Sequence, residues 1–191
     1  MIIQNQVVSE SGDEPITSSY LKNFIRVDFS TDDAIITSVI KSARMLVEQF
    51  IEQALVTKSL KAYFYNFEAW DEEGSYYNLT LPFSPVTAIG SVKVVGVDGT
   101  ETVTTDYVAT GLEEKNVRVN RILSLTTGTN QGYIVEYTAV NTDIAEPIKQ
   151  AIAMLAGEMY ENRQDSAVDV SIASLPYNVT AILRPYKKTF I

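Results

Sequence analysis

Residues 30–60 read STDDAIITSVIKSARMLVEQFIEQALVTKSL, and within them the chain changes its period. From Thr31 to about Ala54, the residues Ile36, Val39, Ile40, Ala43, Leu46, Val47 and Phe50 recur at steps of three and four. That spacing gathers them on one face of a helix, since an α-helix turns once in 3.6 residues. Ser30 is placed to cap the helix, and Asp32 and Asp33 fall in its first turn, where the helix dipole favours acids. At about 1.5–3 kcal/mol per large side chain buried, this face contributes on the order of 10 kcal/mol gross. Lys41, Arg44, Glu48 and Glu52 read as the opposite face, with Arg44 and Glu48 one turn apart. Ile35 and Met45 lie on a flank and suggest a second contact surface.

From about Val56 the pattern becomes that of strands. VTKSLKAYFYNF is rich in β-branched and aromatic residues, and YYNLTLPF alternates. VTAIGSVKVVGVDGTETVT reads as two strands around Asp98-Gly99, a pair favoured in tight hairpins. Short strands are expected at 107–109, 117–119 and 122–125, then a turn from Gly128 to Gly132, and a last strand at 133–140. Residues from about 55 to 140 therefore read as a small β sandwich or barrel.

Helix flanks this β segment on both sides. Upstream, Tyr20, Leu21, Phe24 and Ile25 are spaced for a short helix that Thr17 or Ser18 can cap. Downstream, Thr142 or Asp143 can cap a second long helix, with Pro147 tolerated in its first turn. Its apolar stripe is Ile148, Ala151, Ile152, Leu155 and Met159. Ala153, Ala156 and Gly157 make a second stripe of small residues, suited to close approach by a helix of this chain or of a neighbour. Pro176 precedes a short helix at about 178–183, which Pro185 stops. At the other terminus, Ile2, Ile3, Val7 and Val8 suit either strand pairing with a neighbour or a frayed end.

The predicted fold is thus α+β. It is a small helical bundle of two long helices plus short N- and C-terminal helices, with an inserted antiparallel β module. The segments are an N-terminal arm (1–16), a helical core (17–55 and 141–186), the β module (56–140) and a C-terminal tail (187–191).

Composition narrows the chemistry. The 191 residues include no cysteine and no histidine. This excludes a thiolate nucleophile, a Cys/His zinc site and a Ser-His-Asp triad. A net charge of −9 argues against condensed nucleic-acid binding, which needs a basic face. The first residues, MIIQNQVVSESGDEP, lack the basic and apolar regions of a signal peptide, and no apolar run approaches a membrane span. A soluble protein made in a cytoplasm is expected.

Candidate sites for small-molecule chemistry are sparse. Glu68, Asp71, Glu72 and Glu73 form the densest carboxylate cluster, but without the alternating spacing of a calcium loop. They read as a solvated hairpin tip. The glycines at 128 and 132 are followed by a strand and no lysine, so they are not a phosphate loop. Trp70 joins Tyr63, Phe64, Tyr65 and Phe67 in an aromatic stretch that suits a β core or interface better than a sugar or base platform. No cofactor, no metal and no enzymatic activity are expected. The tail is locally basic: Asp169 is the last acid, while Arg184, Lys187 and Lys188 follow it.

The order of these segments resembles the phage head–tail connector family, small adaptor proteins that sit below the portal. The resemblance rests on ITSSYLKNFIRVD, on the long apolar helix leading through ALVTKSL into strands, and on LPFSPVTAIGSVKVVGVDGT. Pro147–Ile148–Lys149–Gln150–Ala151–Ile152, Tyr160–Glu161–Asn162–Arg163 and the ending Leu175–Pro176, Val179, Leu183, Pro185–Tyr186 complete it. Where that family often has a Gly-Arg pair after the first long helix, this chain has Ile51-Glu52-Gln53, so the helix exit is expected to differ. The leading arm is also longer.

The resemblance implies a structural protein of the virion neck, assembled in the host cytoplasm as a ring, usually of twelve copies. Such a ring docks on the portal, meets stopper or tail proteins, and lets DNA pass without sequence-specific binding. It also implies that the C-terminal segment, here Pro185, Tyr186, Lys187, Lys188, Thr189, Phe190 and Ile191, reaches the portal. Ile35, Met45, Ala153, Ala156 and Gly157 are the expected subunit-interface residues. A stopper or tail-completion protein, or a glycan-binding module of a baseplate or adhesin, is the alternative.

Overall fold

The computed structural model describes residues 2–65, 76–110, 116–120, 130–162 and 175–187. The chain divides into two compact units: residues 1–12 with 56–141, and residues 13–55 with 142–191.

Among the described residues the first unit is made of strands. Its described strands are β1 (Ile2–Ser11), β2 (Thr57–Tyr65), β3 (Tyr76–Thr80), β4 (Val86–Gly96), β5 (Glu101–Thr104), β6 (Tyr107–Thr110), β7 (Asn116–Asn120) and β8 (Asn130–Ala139). Five of them form an antiparallel sheet in the order β1-β2-β8-β4-β5, and three form a second, β3-β7-β6. Burial along β2 alternates strictly, with Lys58, Leu60, Ala62 and Phe64 inward, as period-two geometry requires. Opposite them stand Ala139, Tyr137, Val135 and Tyr133 of β8, also buried. The hairpin forms at Asp98-Gly99. Gly99 adopts φ +81°, the Asp98 carboxylate accepts the Thr100 N–H at 3.0 Å, and the Gly96 N–H reaches the Thr100 carbonyl at 2.9 Å.

Two expectations change here. The N-terminal residues pair with β2 of their own chain over nine positions, with a bulge between Val7 and Ser9. Gly132 lies inside β8, not in a turn, and its absent side chain is required: a Cβ there would collide with the Phe64 carbonyl oxygen. Gly128 and the strand expected at 122–125 lie outside the described residues. Gly132→Ala is expected to lower stability by about 1–3 kcal/mol, visible as a lower thermal midpoint.

The second unit is helical: α1 (Ser18–Ile25), α2 (Asp33–Ile51), α3 (Glu146–Glu161), α4 (Tyr177–Leu183) and a 3₁₀ turn (Arg184–Tyr186). Helix α2 packs on α3, while α1 contacts both and α4 lies against α3. The core comprises Leu21 of α1, Ile36, Ile40, Ala43, Val47 and Ile51 of α2, Ile148, Ala151, Ile152 and Leu155 of α3, and Val179 and Leu183 of α4. Val39, Leu46 and Phe50 flank it, half-buried. Thr17 caps α1, its hydroxyl accepting the Tyr20 N–H at 3.1 Å.

The other caps differ from those the sequence suggests. Asp32, not Ser30, is the N-cap of α2, and its carboxylate accepts the Tyr160 hydroxyl of α3 at 2.6 Å instead of capping the helix. Ala145, not Thr142 or Asp143, occupies the N-cap position of α3, and no side chain caps it. Pro147 in its first turn has no N–H to satisfy and holds a helical φ in advance.

The larger correction concerns Arg44 and Glu48. They are not turned to solvent: each is only 1% exposed. The Arg44 Nη1–H donates to Glu48 Oε2 at 2.6 Å, and its Nε–H to Glu14 at 2.9 Å. Glu48 Oε1 accepts the Leu55 backbone N–H at 2.7 Å. One buried cation thus joins the segment before α1, the middle of α2 and the residue where α2's exit ends. Arg44→Met leaves Glu48 buried without its counter-charge and is expected to cost about 3–5 kcal/mol, measurable by urea denaturation.

Candidate functional site

The surface of the helical unit carries the residues expected to meet other chains. Ile35 and Met45 are 40% and 49% exposed. Successive helical residues advance by about 100°, so Ile35, Ser38, Ser42, Met45 and Gln49 fall on one strip of α2. Ile36, Ile40, Ala43 and Val47 occupy the opposite strip and are buried. The exposed strip is uncharged, with Lys41 at its edge and also exposed.

Ala153 and Ala156 of α3 are fully buried, inside the core of their own chain. Gly157 is buried beneath α1: a Cβ at this position would meet Ile25 Cγ2 at 3.1 Å and Phe24 at 3.9 Å. Beside it lies a groove of about 350 Å³ between α1, α3 and α4, lined by Phe24, Ile25, Met154 and Val179, with Glu158 and Glu161 on its rim.

The C-terminal segment divides in two. Pro185 and Tyr186 belong to the 3₁₀ turn. The Gln53 side-chain amide donates to the Tyr186 carbonyl at 2.8 Å, and the Lys187 ammonium lies 5.5 Å from the centre of the Phe50 ring. Both anchors come from the α2 exit, which Glu52 turns by taking a left-handed φ of 58°. The sequence reading singled out that exit as unusual but assigned Gln53 no partner. Lys188, Thr189, Phe190 and Ile191 lie outside the described residues, as do Phe67, Glu68, Trp70, Asp71, Glu72 and Glu73.

In the β unit, Phe64 is buried while Tyr63 and Tyr65 stack on the opposite face of the sheet, ring centres 6.4 Å apart. The same face carries a ladder of charges. Glu136 of β8 meets Lys61 of β2 at 2.9 Å and Lys93 of β4 at 3.2 Å, accepts the Ser91 hydroxyl at 2.8 Å, and Lys93 also reaches Glu101 of β5 at 3.1 Å. The hydrogen bonds from Lys61 and Ser91 draw the Glu136 carboxyl down to about 2. Glu136 in turn raises Lys61. A carboxyl depressed by folding stabilises the fold above its unfolded value and ceases to do so as it protonates. The stability gap between wild type and Glu136→Gln should therefore hold above the ordinary carboxyl value of 4.5 and close as the pH falls toward 2. Paired thermal melts across that range check this.

Among the described residues no cluster of three or more carboxylates could hold a metal ion, and no helix is long and apolar enough to cross a membrane. What remains is a chain whose distinctive surfaces are an uncharged helix strip, an acid-rimmed apolar groove and a basic end held at its root.

Residues 110–187 match the model of the Phage gp6-like head-tail connector protein family, so the resemblance read from the sequence holds. Among solved structures, a chain in the neck of an empty gene transfer agent (GTA) particle, computed with C6 symmetry, superposes with a TM-score of 0.67. The sequences are 19% identical, and the alignment covers 100% of this chain and 97% of that one. A chain of the native GTA virion gives 0.64 at 19% identity, and one from the native GTA neck, computed with C12 symmetry, gives 0.61 at 17%, with the same coverage. No curated protein sequence matches the chain.

Proposed function

We propose that this chain is a non-enzymatic structural protein of a virion neck: a head–tail connector adaptor that works as a ring of twelve copies. The observation that carries the reading is the likeness of the whole chain, both units together, to chains of GTA necks, joined to the connector-family match in residues 110–187. Cyclic symmetry in those necks favours a ring. Head-to-tail contacts close into a ring when the rotation between neighbours divides the circle.

In this reading the ring docks on the portal and extends the DNA channel toward the tail. The net charge of −9 suits a lumen through which a polyanion slides without adhering. The portal contact is assigned to the basic C-terminus. Pro185, Tyr186 and Lys187 form its root, and the four residues after Lys187 are the reaching part. A peptide segment can add a strand to a sheet edge on its partner, with backbone hydrogen bonds supplying affinity and alternate side chains specificity.

The anchoring of Tyr186 and Lys187 sets the experiment. Deleting residues 188–191 spares the Gln53 and Phe50 contacts, so the thermal midpoint is expected to stay unchanged. Recruitment of the truncated chain to portal-bearing heads is expected to fall sharply in a co-sedimentation assay. Full recruitment of the truncated chain would remove the tail from the portal contact. Absence of the intact chain from the neck in particle images would end the reading as a whole.

A further inference from the structure

Two surfaces of the helical unit match each other and cannot meet within one chain, because each is an outward-facing part of the same packed unit. The first is the strip of α2 opposite the core. The outward face of a soluble helix is ordinarily charged. This one presents Ile35, Ser38, Ser42, Met45 and Gln49, with Lys41 on its border. Its serines keep the middle of the strip low, so a second surface can approach closely between the two large apolar ends. The second surface is the groove between α1, α3 and α4. Its floor is Phe24, Ile25, Met154 and Val179, and its rim is the exposed pair Glu158 and Glu161, one turn apart on α3.

We propose that the exposed strip of α2 in one copy seats in the α1–α3–α4 groove of a second copy, with Met45 on the apolar floor and Lys41 against the Glu158–Glu161 rim. Charge selects the occupant: the groove carries two acids at its lip, and the strip carries a cation one turn from Met45. Apolar anchors at helical spacing entering a groove are a recurrent mode of recognition. The contact is heterologous, because strip and groove are different surfaces. Each copy then keeps one of each free, and the same contact repeats from copy to copy. The pairing itself concerns isolated chains. Closure into a ring within a neck rests on the function proposed above.

The chain has no cysteine, so engineered thiols report cleanly. Full-length Met45→Cys chains are mixed with full-length Glu158→Cys chains and oxidised at high protein concentration. Met45→Cys mixed with Thr102→Cys, an exposed position in the β unit, serves as the control. The expected result is a several-fold excess of the 45–158 cross-link over both the control and the 45–45 product. Adding Lys41→Glu should reduce the excess, and Glu158's neighbour changed as Glu161→Lys should restore it. A 45–158 yield no higher than control overturns the proposal. So does predominance of the 45–45 product, which would mean a two-fold contact. An excess that Lys41→Glu leaves unchanged also overturns it, since the choice of occupant rests on that charge. Failure here leaves the neck reading to the particle images, because no portal or particle enters this experiment.

Discussion

The helical unit depends on one buried cation. Arg44 has almost no contact with water and sits between two carboxylates, Glu48 on its own helix and Glu14 ahead of α1. Glu48 spends its second oxygen on the Leu55 N–H, beyond the helix end. A buried ion pair seldom adds net stability over a well-packed apolar alternative, since both charges leave water. What it adds here is definition. Three stretches of chain must arrive together for all of these groups to be satisfied, and one of them ends at Leu55, the last residue before the β unit resumes. The apolar core supplies the gross energy, and the charged thread sets where the ends of α2 lie.

That thread explains why the sequence reading went wrong where it did. Periodicity ranks residues by apolarity, so it placed Ile36, Ile40, Ala43 and Val47 correctly on the core side. By the same logic it turned Arg44 and Glu48 outward. Their burial becomes visible only with partners that lie far off in sequence or on the backbone, and neither leaves a periodic mark. The caps failed for a similar reason. Ser30 is the better local cap, but Asp32 has a tertiary partner in Tyr160, 128 positions away. The hairpin at Asp98-Gly99 was legible because its geometry is set by adjacent residues. Gly132 was not, because its need for a bare backbone comes from Phe64 across the sheet.

The candidate surfaces were legible in part. Ile35 and Met45 stood out as apolar residues off the main stripe, and they are exposed. The small residues of α3 were equally visible, but small size does not say which partner comes close. For Gly157 the close neighbours are Phe24 and Ile25 of the same chain. The root of the C-terminal segment was hidden altogether, since it depends on Gln53 reaching a carbonyl 133 positions away.

The Gln53–Tyr186 bond has a consequence for synthesis. The helical unit is drawn from two separate stretches of chain, residues 13–55 and 142–191, with residues 56–141 of the β unit between them. When α2 leaves the ribosome, its partner α3 is still roughly 90 residues from being made. At about 5–20 residues per second, the apolar side of α2 stays uncovered for something like 5–20 s. During that interval the strands can pair and close, so the sheet matures first. The residues around Tyr186, made later still, then fasten a helix that has long been waiting, and every nascent chain passes through a stage in which its stickiest surface is open to whatever lies nearby.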